Sequence, residues 1–383
     1  MALAFEASEY AARMERGQRA VASAGLDALI VTAPENICYL SGFATPGYHV
    51  FQALVVPARQ DPFLVIRNIE VDNVRNHSWV QRHYPIDNLD IALDIFAAAV
   101  KQERADKGRV GIEVDGARQS ITRPDLLARL LPGVEFEPSL GVVDALRAVK
   151  SPREIDYMRQ AVAIAEQAML AGARSLKTAR TDSDVAAAIN GELAAAGSEY
   201  TGSPSYVVGG IGSGQTHANH ARRPLGPTDH CWLEVSASVQ RYHGVLGRIG
   251  GTALPAETRK WFDVSAAALK ALIAAMRPGV TAATVDAAGR AAAERGGAGG
   301  YWKNRAAYSL GLSFPPGLGE GHIIDIKPKD ERPLKAGMVF HLIPILKVPG
   351  IGAIGCTETV MVGENGGERL GKLDLAPVTP WRN

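Results

Sequence analysis

A glutamate inside an apolar strand pattern carries the strongest sign of chemistry in this sequence. Glu234 lies in the segment HCWLEVSAS, where Trp232 and Val235 are among its apolar neighbours. Burying an unpaired carboxylate in such surroundings is costly. We therefore expect one of two roles: a structural ion pair, most naturally with Arg248 on the next strand, or a nucleophile or general base whose pKa is raised by desolvation.

Two histidines in a glycine-rich loop supply the second candidate group. His217 and His220 lie in the segment GQTHANHARRPLGPTD, where a tight turn can aim an imidazole into a cleft. Imidazole titrates near neutral pH and can carry a proton between attacking water and a leaving nitrogen. One of the two is expected to be catalytic, and the alternative for each is a solvated or capping side chain.

Five further polar side chains lie in patterns that could face the same pocket. His243 and His341 occur in strand patterns and are equally consistent with hydrogen-bonded core histidines. Glu320 and His322, in the loop PPGLGEGH, could bind a polar substrate group or be solvated in a turn. Glu358, near the end of the chain, could hold a cationic nitrogen or form a second ion pair between strands.

The composition of the chain limits its classes of partner. The formal net charge is +1 and the charges are interspersed, so no basic patch is available for nucleic acid or anionic lipid. No apolar run is long enough to span a bilayer. We expect a cytoplasmic protein that acts on a small molecule, without nucleic-acid or membrane partners. The three cysteines are odd in number and unpaired in spacing, which favours buried thiols over a disulfide framework.

With 383 residues, the chain is long enough for two hydrophobic cores. Residues 1–149 predict an α/β domain with a mixed sheet. Its predicted helices cover 5–25, 89–103 and 124–131, and its predicted strands cover 26–32, 51–57, 61–66, 110–115 and 134–139. A capping box formed by Ser151 and Glu154, with Pro152 at the first helical position, predicts that a new helix opens a second domain at 150–383.

The second domain shows a weak internal repeat. In each half, two helical patterns precede a set of strand patterns, which predicts an α+β domain with pseudo-two-fold symmetry. The first half has helices at 154–174 and from TDSDVAAAIN before strands near 205–210 and 231–253; the second has helices at 256–276 and from TAATVDAAGRAAAERG before strands near 306–312, 338–345 and 353–362.

The order of several motifs resembles that of the pita-bread superfamily of creatinase, prolidase and methionine aminopeptidase. The motifs are LRAVKSPREIDYMRQA, GQTHANHARRPLGPTD, AGMVFHLIP and GIGAIGCTETVMV, which are similar to the opening helix, the histidine loop, a metal-binding strand and the closing strand. The amino-terminal half resembles the creatinase-type amino-terminal domain. The resemblance implies a creatinase-type domain followed by a pita-bread catalytic domain.

Metal-dependent members of that superfamily hold two divalent ions with two Asp, one His and two Glu. The resemblance places these five positions at Glu234, Val245, Tyr308, Ile343 and Thr357. Val245 and Ile343 have no donor atom, and a shift of one residue from Thr357 to Glu358 would still leave too few carboxylates. We therefore expect no bound metal and no other cofactor.

The resemblance is closer to the metal-free branch of creatinase and ectoine hydrolase, which open C–N bonds other than peptide bonds. The segments LEVSASVQRYHGVLGR, YSLGLSFPPGLGEGHI, VFHLIP and CTETV are similar to ectoine hydrolase motifs. This resemblance implies that Glu234 attacks the substrate and favours His217 over His220 as its partner. Tyr308, in place of a ligand histidine, would donate to a carbonyl or oxyanion.

The chain departs from the ectoine hydrolase pattern at three places on the implied pocket wall. Residues 245–249 are Val-Leu-Gly-Arg-Ile where the family has Pro-Leu-Ser-Arg-Thr. Gly317-Leu318 follows the paired prolines where the family has Trp, and Gly355 replaces an acidic residue. Because these changes lie on the implied pocket wall, the resemblance does not specify the identity of the substrate.

In creatinase-type enzymes the amino-terminal domain of one subunit covers the pocket of its partner. Residues 42–52 would do so here, offering Tyr48, His49 and Phe51, although an ordinary surface loop is equally consistent with this segment. We thus predict a homodimer with this arrangement.

The predicted activity is metal-free hydrolysis of a non-peptide C–N bond in an ectoine-like cyclic amidine, amide or guanidino acid. Glu234 would be nucleophile or base and His217 the proton shuttle. Tyr308 and Glu358 would orient the substrate, and His243 and Arg248 would adjust Glu234. The alternatives are a metal-dependent Xaa-Pro peptidase, a non-catalytic binding module and a lyase on the same fold.

Overall fold

The computed structural model describes residues 3–113, 123–215 and 217–380. The chain divides into two compact units, Met1–Arg147 and Ala148–Asn383, so the division lies two residues before the predicted one. Within the described ranges, every helix is too short or too polar to cross a bilayer.

A six-stranded mixed sheet forms the centre of the amino-terminal unit. Its strands are β1 (Ala28–Val31), β2 (Ala53–Pro57), β3 (Phe63–Arg67), β4 (His83–Ile86), β5 (Gly108–Ile112) and β6 (Val134–Pro138). They lie in the order β4-β3-β2-β1-β5-β6. The pairs of β2 with β1 and β3 are antiparallel, and the other three pairs are parallel. The predicted strand at 110–115 is β5, and residues 114 and 115 lie outside the described ranges.

Helices pack around this sheet. They are α1 (Ala7–Ser23), α2 (Pro34–Ser41), α3 (Val71–His77), α4 (Ala92–Gln102), α5 (Pro124–Leu130) and α6 (Asp144–Arg147), with 3-10 turns at Asn68–Glu70 and Leu89–Ile91. The prediction that Phe51 is a lid residue is wrong. Phe51 is buried in the core of this unit, with its ring edge-on to Phe96 at 5.4 Å between centroids. Tyr48 and His49 lie in the preceding turn, where Tyr48 is partly buried and His49 is exposed.

The second unit opens with the predicted capping box. Helix α7 (Pro152–Ser175) begins after Ser151, whose hydroxyl accepts the backbone N–H of Glu154 at 3.3 Å. The Glu154 carboxylate accepts the Ser151 N–H in return at 2.8 Å, so this prediction is confirmed. Helix α8 (Asp182–Ala195) follows. Three antiparallel strands, β7 (Tyr206–Gly209), β8 (Cys231–Val239) and β9 (Tyr242–Gly250), complete the first half.

The second half repeats this order, as predicted. Its helices are α9 (Ala256–Ala275) and α10 (Ala282–Arg295), and its strands are β10 (Ala307–Ser309), β11 (Asp325–Ile326), β12 (Val339–Leu342), β13 (Leu346–Val348), β14 (Gly352–Ile354), β15 (Glu358–Val362) and β16 (Gly367–Arg369). Five of these strands form a sheet in the order β11-β10-β12-β15-β16, and β13 pairs with β14.

The two sheets of this unit meet along β9. Gly247 of β9 forms an antiparallel bridge with Thr357, just before β15. Two residues earlier, the Val245 N–H donates to the Thr359 hydroxyl at 3.0 Å. Side chains that leave β8, β10 and β12 at this junction therefore come from both halves of the repeat.

The close approach of α7 to β9 requires a glycine at position 244. A β-carbon there would lie 2.3 Å from the backbone nitrogen of Val162 and 2.7 Å from the carbonyl carbon of Ala161. We expect Gly244→Ala to lower the free energy of unfolding by about 3 kcal/mol, because backbone atoms cannot yield as a side chain would. Urea unfolding followed by circular dichroism measures this change.

Gly191→Ala is the matched control. Gly191 is an exposed helical residue of α8 with no atom near its missing β-carbon, so alanine should stabilise by about 0.5–1 kcal/mol. Equal effects of the two substitutions would contradict the packing described for α7 and β9.

Candidate active site

A cavity of about 860 Å³ opens in the second unit between residues of both sheets. Three of the four residues that the sequence predicts as catalytic line it: Glu234 of β8, Tyr308 of β10, and His217 of the loop after β7. Further lining residues that matter for the chemistry are Tyr206, Ser213, Trp232, Lys303, Arg305, Ile343 and Lys347.

The alternation of β8 places Glu234 in the cavity. Trp232 and Glu234 line it, while Leu233 and Val235 pack into the core on the other face of the strand. Burial raises the pKa of Glu234 to about 7, and a hydrogen bond with the Trp232 side chain offsets only part of this rise. The predicted effect of desolvation is thus confirmed, and the carboxyl group is close to half-ionised at neutral pH.

Behind Glu234 lies a hydrogen-bonded chain of three side chains. His341 Nδ1 lies 2.8 Å from the Tyr308 hydroxyl, and His341 Nε2 lies 2.8 Å from the Thr357 hydroxyl. Burial lowers the pKa of His341 to about 3, so the imidazole is neutral. Its 3.9 Å contact from Nδ1 to Glu234 Oε1 is therefore not an ion pair. His341 supports Tyr308 from the core and does not line the cavity.

Tyr308 remains protonated at any working pH. Burial, and after it the charge of Glu234, raises the pKa of the phenol well above its ordinary value. If Thr357 donates to Nε2 of His341, Nδ1–H donates to the phenol oxygen and leaves the phenol proton for a group in the cavity. Tyr308 can then act as a hydrogen-bond donor beside Glu234.

The predicted ion pair between Glu234 and Arg248 is wrong. Arg248 is paired across the strands with Leu233, so its side chain leaves the sheet on the face opposite Glu234. There its guanidinium donates to the Glu358 carboxylate, which also accepts from Arg369 at 3.1 Å. Arg248 and Glu358 are fully buried and absent from the cavity lining, which corrects the predicted roles of both.

The strand register also explains the position of His217. Tyr206 of β7 lies directly opposite Glu234, and the His217 ring stacks on Tyr206 with centroids 6.0 Å apart. His217 has a left-handed backbone with φ of +58°. Thr216, within the predicted histidine loop, lies outside the described residues. The His217 side chain is exposed, and it lines the same cavity as Glu234.

A buried carboxylate anchors the loop that carries His217. Asp182 accepts the backbone N–H groups of Ala221 and Arg223 at 3.1 and 3.0 Å, and the Arg223 guanidinium at 2.9 Å. The same guanidinium donates to the Asn219 carbonyl at 2.6 Å. These contacts fix the loop at its carboxyl end.

Ser213 and His230 form a second anchor rather than a nucleophilic pair. The Ser213 hydroxyl donates to the Gly210 carbonyl at 2.8 Å and accepts the Ala353 N–H at 2.8 Å. His230 Nε2 lies 3.1 Å from the Ala353 carbonyl and must donate there, so it cannot take a proton from Ser213. The pair ties the loop to β14.

Besides Arg248 and His341, three more predicted binding residues, His220, His322 and Glu320, do not line the cavity. His220 is exposed and bonds to Asn219, with Nδ1 2.8 Å from the side-chain oxygen. His322 is exposed in a turn. Glu320 is buried in an ion pair with Lys150 at 2.8 Å, because the backbone at 319–320 pairs with 309–310 and turns the side chain inward.

His243 is a core histidine and not a substrate ligand or a neighbour of Glu234. It lies opposite Ser238 at the far end of the β8–β9 pair, and its Nε2 accepts the Gly202 N–H at 3.0 Å. Burial lowers its pKa to about 3, so the ring stays neutral and keeps this bond. The hydrogen bond from Gly202 holds the backbone next to Ser203, which lines the cavity.

Trp232 occupies the space left by two glycines, Gly247 and Gly355. A β-carbon at Gly247 would lie 2.7 Å from the Trp232 ring and 2.6 Å from the Thr357 hydroxyl. A β-carbon at Gly355 would lie 3.1 Å from the same ring. The indole therefore fills the space that side chains at both positions would need, and it lines the cavity beside Glu234.

The five positions that the resemblance assigns to metal ligands do not fit a pair of metal ions. Val245 and Ile343 are buried hydrocarbon, and the hydroxyl groups of Tyr308 and Thr357 both bond to His341. Across the described ranges, no three His, Cys, Asp or Glu side chains are grouped so that they could hold a metal ion. The donor set leaves Glu234 as a lone carboxylate.

Sequence reasoning missed the cations of the cavity. Lys303 and Arg305 precede β10 in the segment WKNRAAY, and Lys347 follows Ile343 and Ile345 at a spacing of two along an extended segment. These cations alternate with buried neighbours along extended segments, and this alternation was the sequence signal that could have identified them as cavity residues.

Two family models match the chain. The model of metallopeptidase family M24 matches residues 156–364, and the creatinase/prolidase amino-terminal domain matches residues 13–149. The chain belongs to metallopeptidase family M24. At this level it is a hydrolase with the two-domain architecture of creatinase and prolidase, as predicted.

Relatives and solved structures of this M24 protein differ in their activities. It is 27% identical to ectoine hydrolase of Halomonas elongata, with 97% of each chain covered. It is 28% identical to an uncharacterized hydrolase/peptidase of Sinorhizobium fredii, with 96% of each covered. In structure it is similar to a prolidase from Pyrococcus horikoshii (TM-score 0.82, 20% identity, 95% and 99% covered) and to dipeptidase PepE from Mycobacterium ulcerans (0.81, 24%, 98% and 99%). These structural likenesses show the fold.

The raised pKa of Glu234 predicts a pH-dependent effect on stability. The native pKa of about 7 exceeds the ordinary 4.5, so folding favours the protonated carboxyl. Its stabilising contribution is complete below about pH 4.5 and is lost as the pH rises through 7. Glu234→Gln keeps the shape but cannot ionise. We expect its stability relative to wild type to increase by about 2.5 kcal/mol between about pH 5 and pH 8.5. Urea unfolding at both pH values measures this, and a pH-independent difference would contradict it.

Proposed function

We propose that this M24 protein hydrolyses a non-peptide C–N bond of a small polar molecule without a metal ion, an ectoine-like cyclic amidine, amide or guanidino acid being the substrate class. One observation carries the proposal. Glu234 projects into the cavity with a pKa of about 7, while hydrocarbon and hydroxyl groups occupy the positions where a metal site would need donors.

Each cavity residue has a chemical role in this proposal. The ionised Glu234 attacks the amidine or amide carbon, and the C–N bond breaks as His217 gives the leaving nitrogen a proton. The covalent adduct on Glu234 is an acyl imidate if the substrate is an amidine and an anhydride if it is an amide. Water then loses a proton to His217 and attacks the substrate carbon of the adduct, which releases the Glu234 carboxylate together with an amide from an amidine or an acid from an amide. Alternatively, Glu234 removes the proton from water directly. In both versions Tyr308 donates to the atom that gains negative charge.

The similarity to ectoine hydrolase supports this substrate class, while the dipeptidase and prolidase structures indicate the competing one. A peptidase of that kind would need a metal site. The donor set of this chain argues against it, because one carboxylate remains among the five positions.

We further propose a homodimer, in which residues 42–52 of one subunit cover the cavity of the partner. Tyr48 and His49 are then the side chains offered to substrate, since Phe51 is fixed in its own core.

The first test compares metal dependence with dependence on Glu234. Ectoine, guanidino acids and small amides are incubated with chelator-treated protein, and products are followed by mass spectrometry. We expect one class to be hydrolysed at an undiminished rate, with Glu234→Gln lowering kcat at least about 100-fold. A trapped adduct on Glu234 would identify the covalent route. Loss of activity on chelation with recovery by manganese or cobalt, or full turnover by Glu234→Gln, would refute the proposal.

The second test uses the pH dependence of turnover. Because Glu234 must be ionised in the free enzyme, kcat/KM should fall about tenfold per pH unit below its pKa of about 7. His217→Asn should lower kcat about 100-fold, whereas His220→Asn, in the same loop but outside the cavity lining, should change it little. An acid limb near the ordinary glutamate pKa, or equal losses in the two histidine variants, would exclude these assignments.

A further inference from the structure

The charge of the cavity lining is opposite to that of its reactive carboxyl group. Three cationic side chains line it, Lys303, Arg305 and Lys347, and Glu234 is the one acidic residue among its described lining residues. Lys303 and Lys347 are exposed, whereas Tyr308 and Ile343, farther along the same two segments, are buried. The cations therefore lie towards the mouth and raise the local concentration of anions there.

Arg305 differs from the two lysines because its guanidinium is held in place. Nη1 donates to both carboxylate oxygens of Asp325, at 2.9 and 3.0 Å. The central guanidinium carbon lies 4.8 Å from the centre of the Tyr308 ring. The side chain is nevertheless 40% exposed. A cation is thus fixed beside the ring whose hydroxyl group serves the reaction.

The donors of Arg305 are only partly used. Both bonds to Asp325 come from Nη1, and among the described residues Nε and Nη2 have no hydrogen-bond partner. Asp325 also lies 3.6 Å from the Lys327 ammonium, so its charge is shared between two cations. Nε and Nη2 form the edge of a guanidinium that matches the two oxygens of a carboxylate.

The glycine at position 321 makes room for this arrangement. A β-carbon there would lie 2.6 Å from Arg305 Nη1 and 2.6 Å from Asp325 Oδ1. Any larger residue at 321 must therefore displace the ion pair that orients Arg305. Gly321 lies in the turn that also contains Glu320 and His322, outside the cavity itself.

We infer that Arg305, oriented by Asp325 and Gly321, binds a carboxylate of the substrate through Nε and Nη2. This subsite rests on the proposed function, in which Glu234 marks the reacting end of the cavity. The carboxylate then lies beside the Tyr308 ring, only a few bonds from the carbon that Glu234 attacks. Substrates are accordingly small amidino, amido or guanidino acids, and their uncharged amides and esters bind more weakly.

The test measures binding rather than turnover. Calorimetric titration of the metal-stripped Glu234→Gln protein uses three matched pairs of carboxylate and carboxamide: ectoine, guanidinoacetate and N-acetylglycine, each with its amide. In at least one pair the carboxylate should bind about 10- to 100-fold more tightly. Adding Arg305→Met should remove this preference, and adding Gly321→Ala should reduce it.

Lys303→Met is the matched control, because it removes a cation from the same cavity lining without touching the guanidinium. It should weaken binding modestly at low salt and keep the preference for carboxylate. A preference that survives Arg305→Met, or no carboxylate that binds more tightly than its amide, would overturn the subsite. Failure of the proposed function would appear instead as absent or metal-dependent hydrolysis by protein with Glu234 intact, while the carboxylate preference persists.

Discussion

The carboxyl group of Glu234 is placed against an indole and buried hydrocarbon instead of beside a guanidinium, and the rest of the site depends on this placement. Desolvation holds its pKa near 7, where one group can serve as both acid and base at neutral pH. The same environment keeps His341 neutral and the Tyr308 phenol protonated. Because the hydrogen-bonded chain of Tyr308, His341 and Thr357 is neutral, it can lie close to Glu234 without forming an ion pair that would lower the pKa of the carboxyl group.

The fold achieves this by separating two carboxylates onto opposite faces of one pair of strands. Arg248 lies opposite Leu233 and therefore pairs with Glu358 in the core, whereas Glu234 lies on the other face. The Arg248 guanidinium, one residue away in register, thus stabilises the junction of the two sheets, and among the described residues Glu234 forms no ion pair with a lysine or arginine. Helices α7 and α8 of the first half pack on the core face of β8, which leaves the opposite face of this strand to the cavity.

Periodicity and capping signals were sufficient for the elements that bury a continuous face. The capping box at Ser151 and the apolar patterns of β8 and β9 predicted their positions closely. Strand β4 was missed because it is a partly exposed edge strand that begins with His83 and Tyr84 and has no alternating pattern. At the site, residue type identified Glu234, but the burial of Glu320 and Glu358 depends on contacts between segments far apart in sequence.

The central claim is that Glu234 is a desolvated, metal-free carboxyl group that titrates near neutral pH. Infrared difference spectroscopy of chelator-treated wild-type protein against Glu234→Gln isolates the band of this one protonated carboxyl group as the pH is varied. The account predicts that the band disappears with a midpoint of about pH 7. A midpoint near 4.5, the ordinary value for a solvated glutamate, or a band that appears only after chelation, would contradict it.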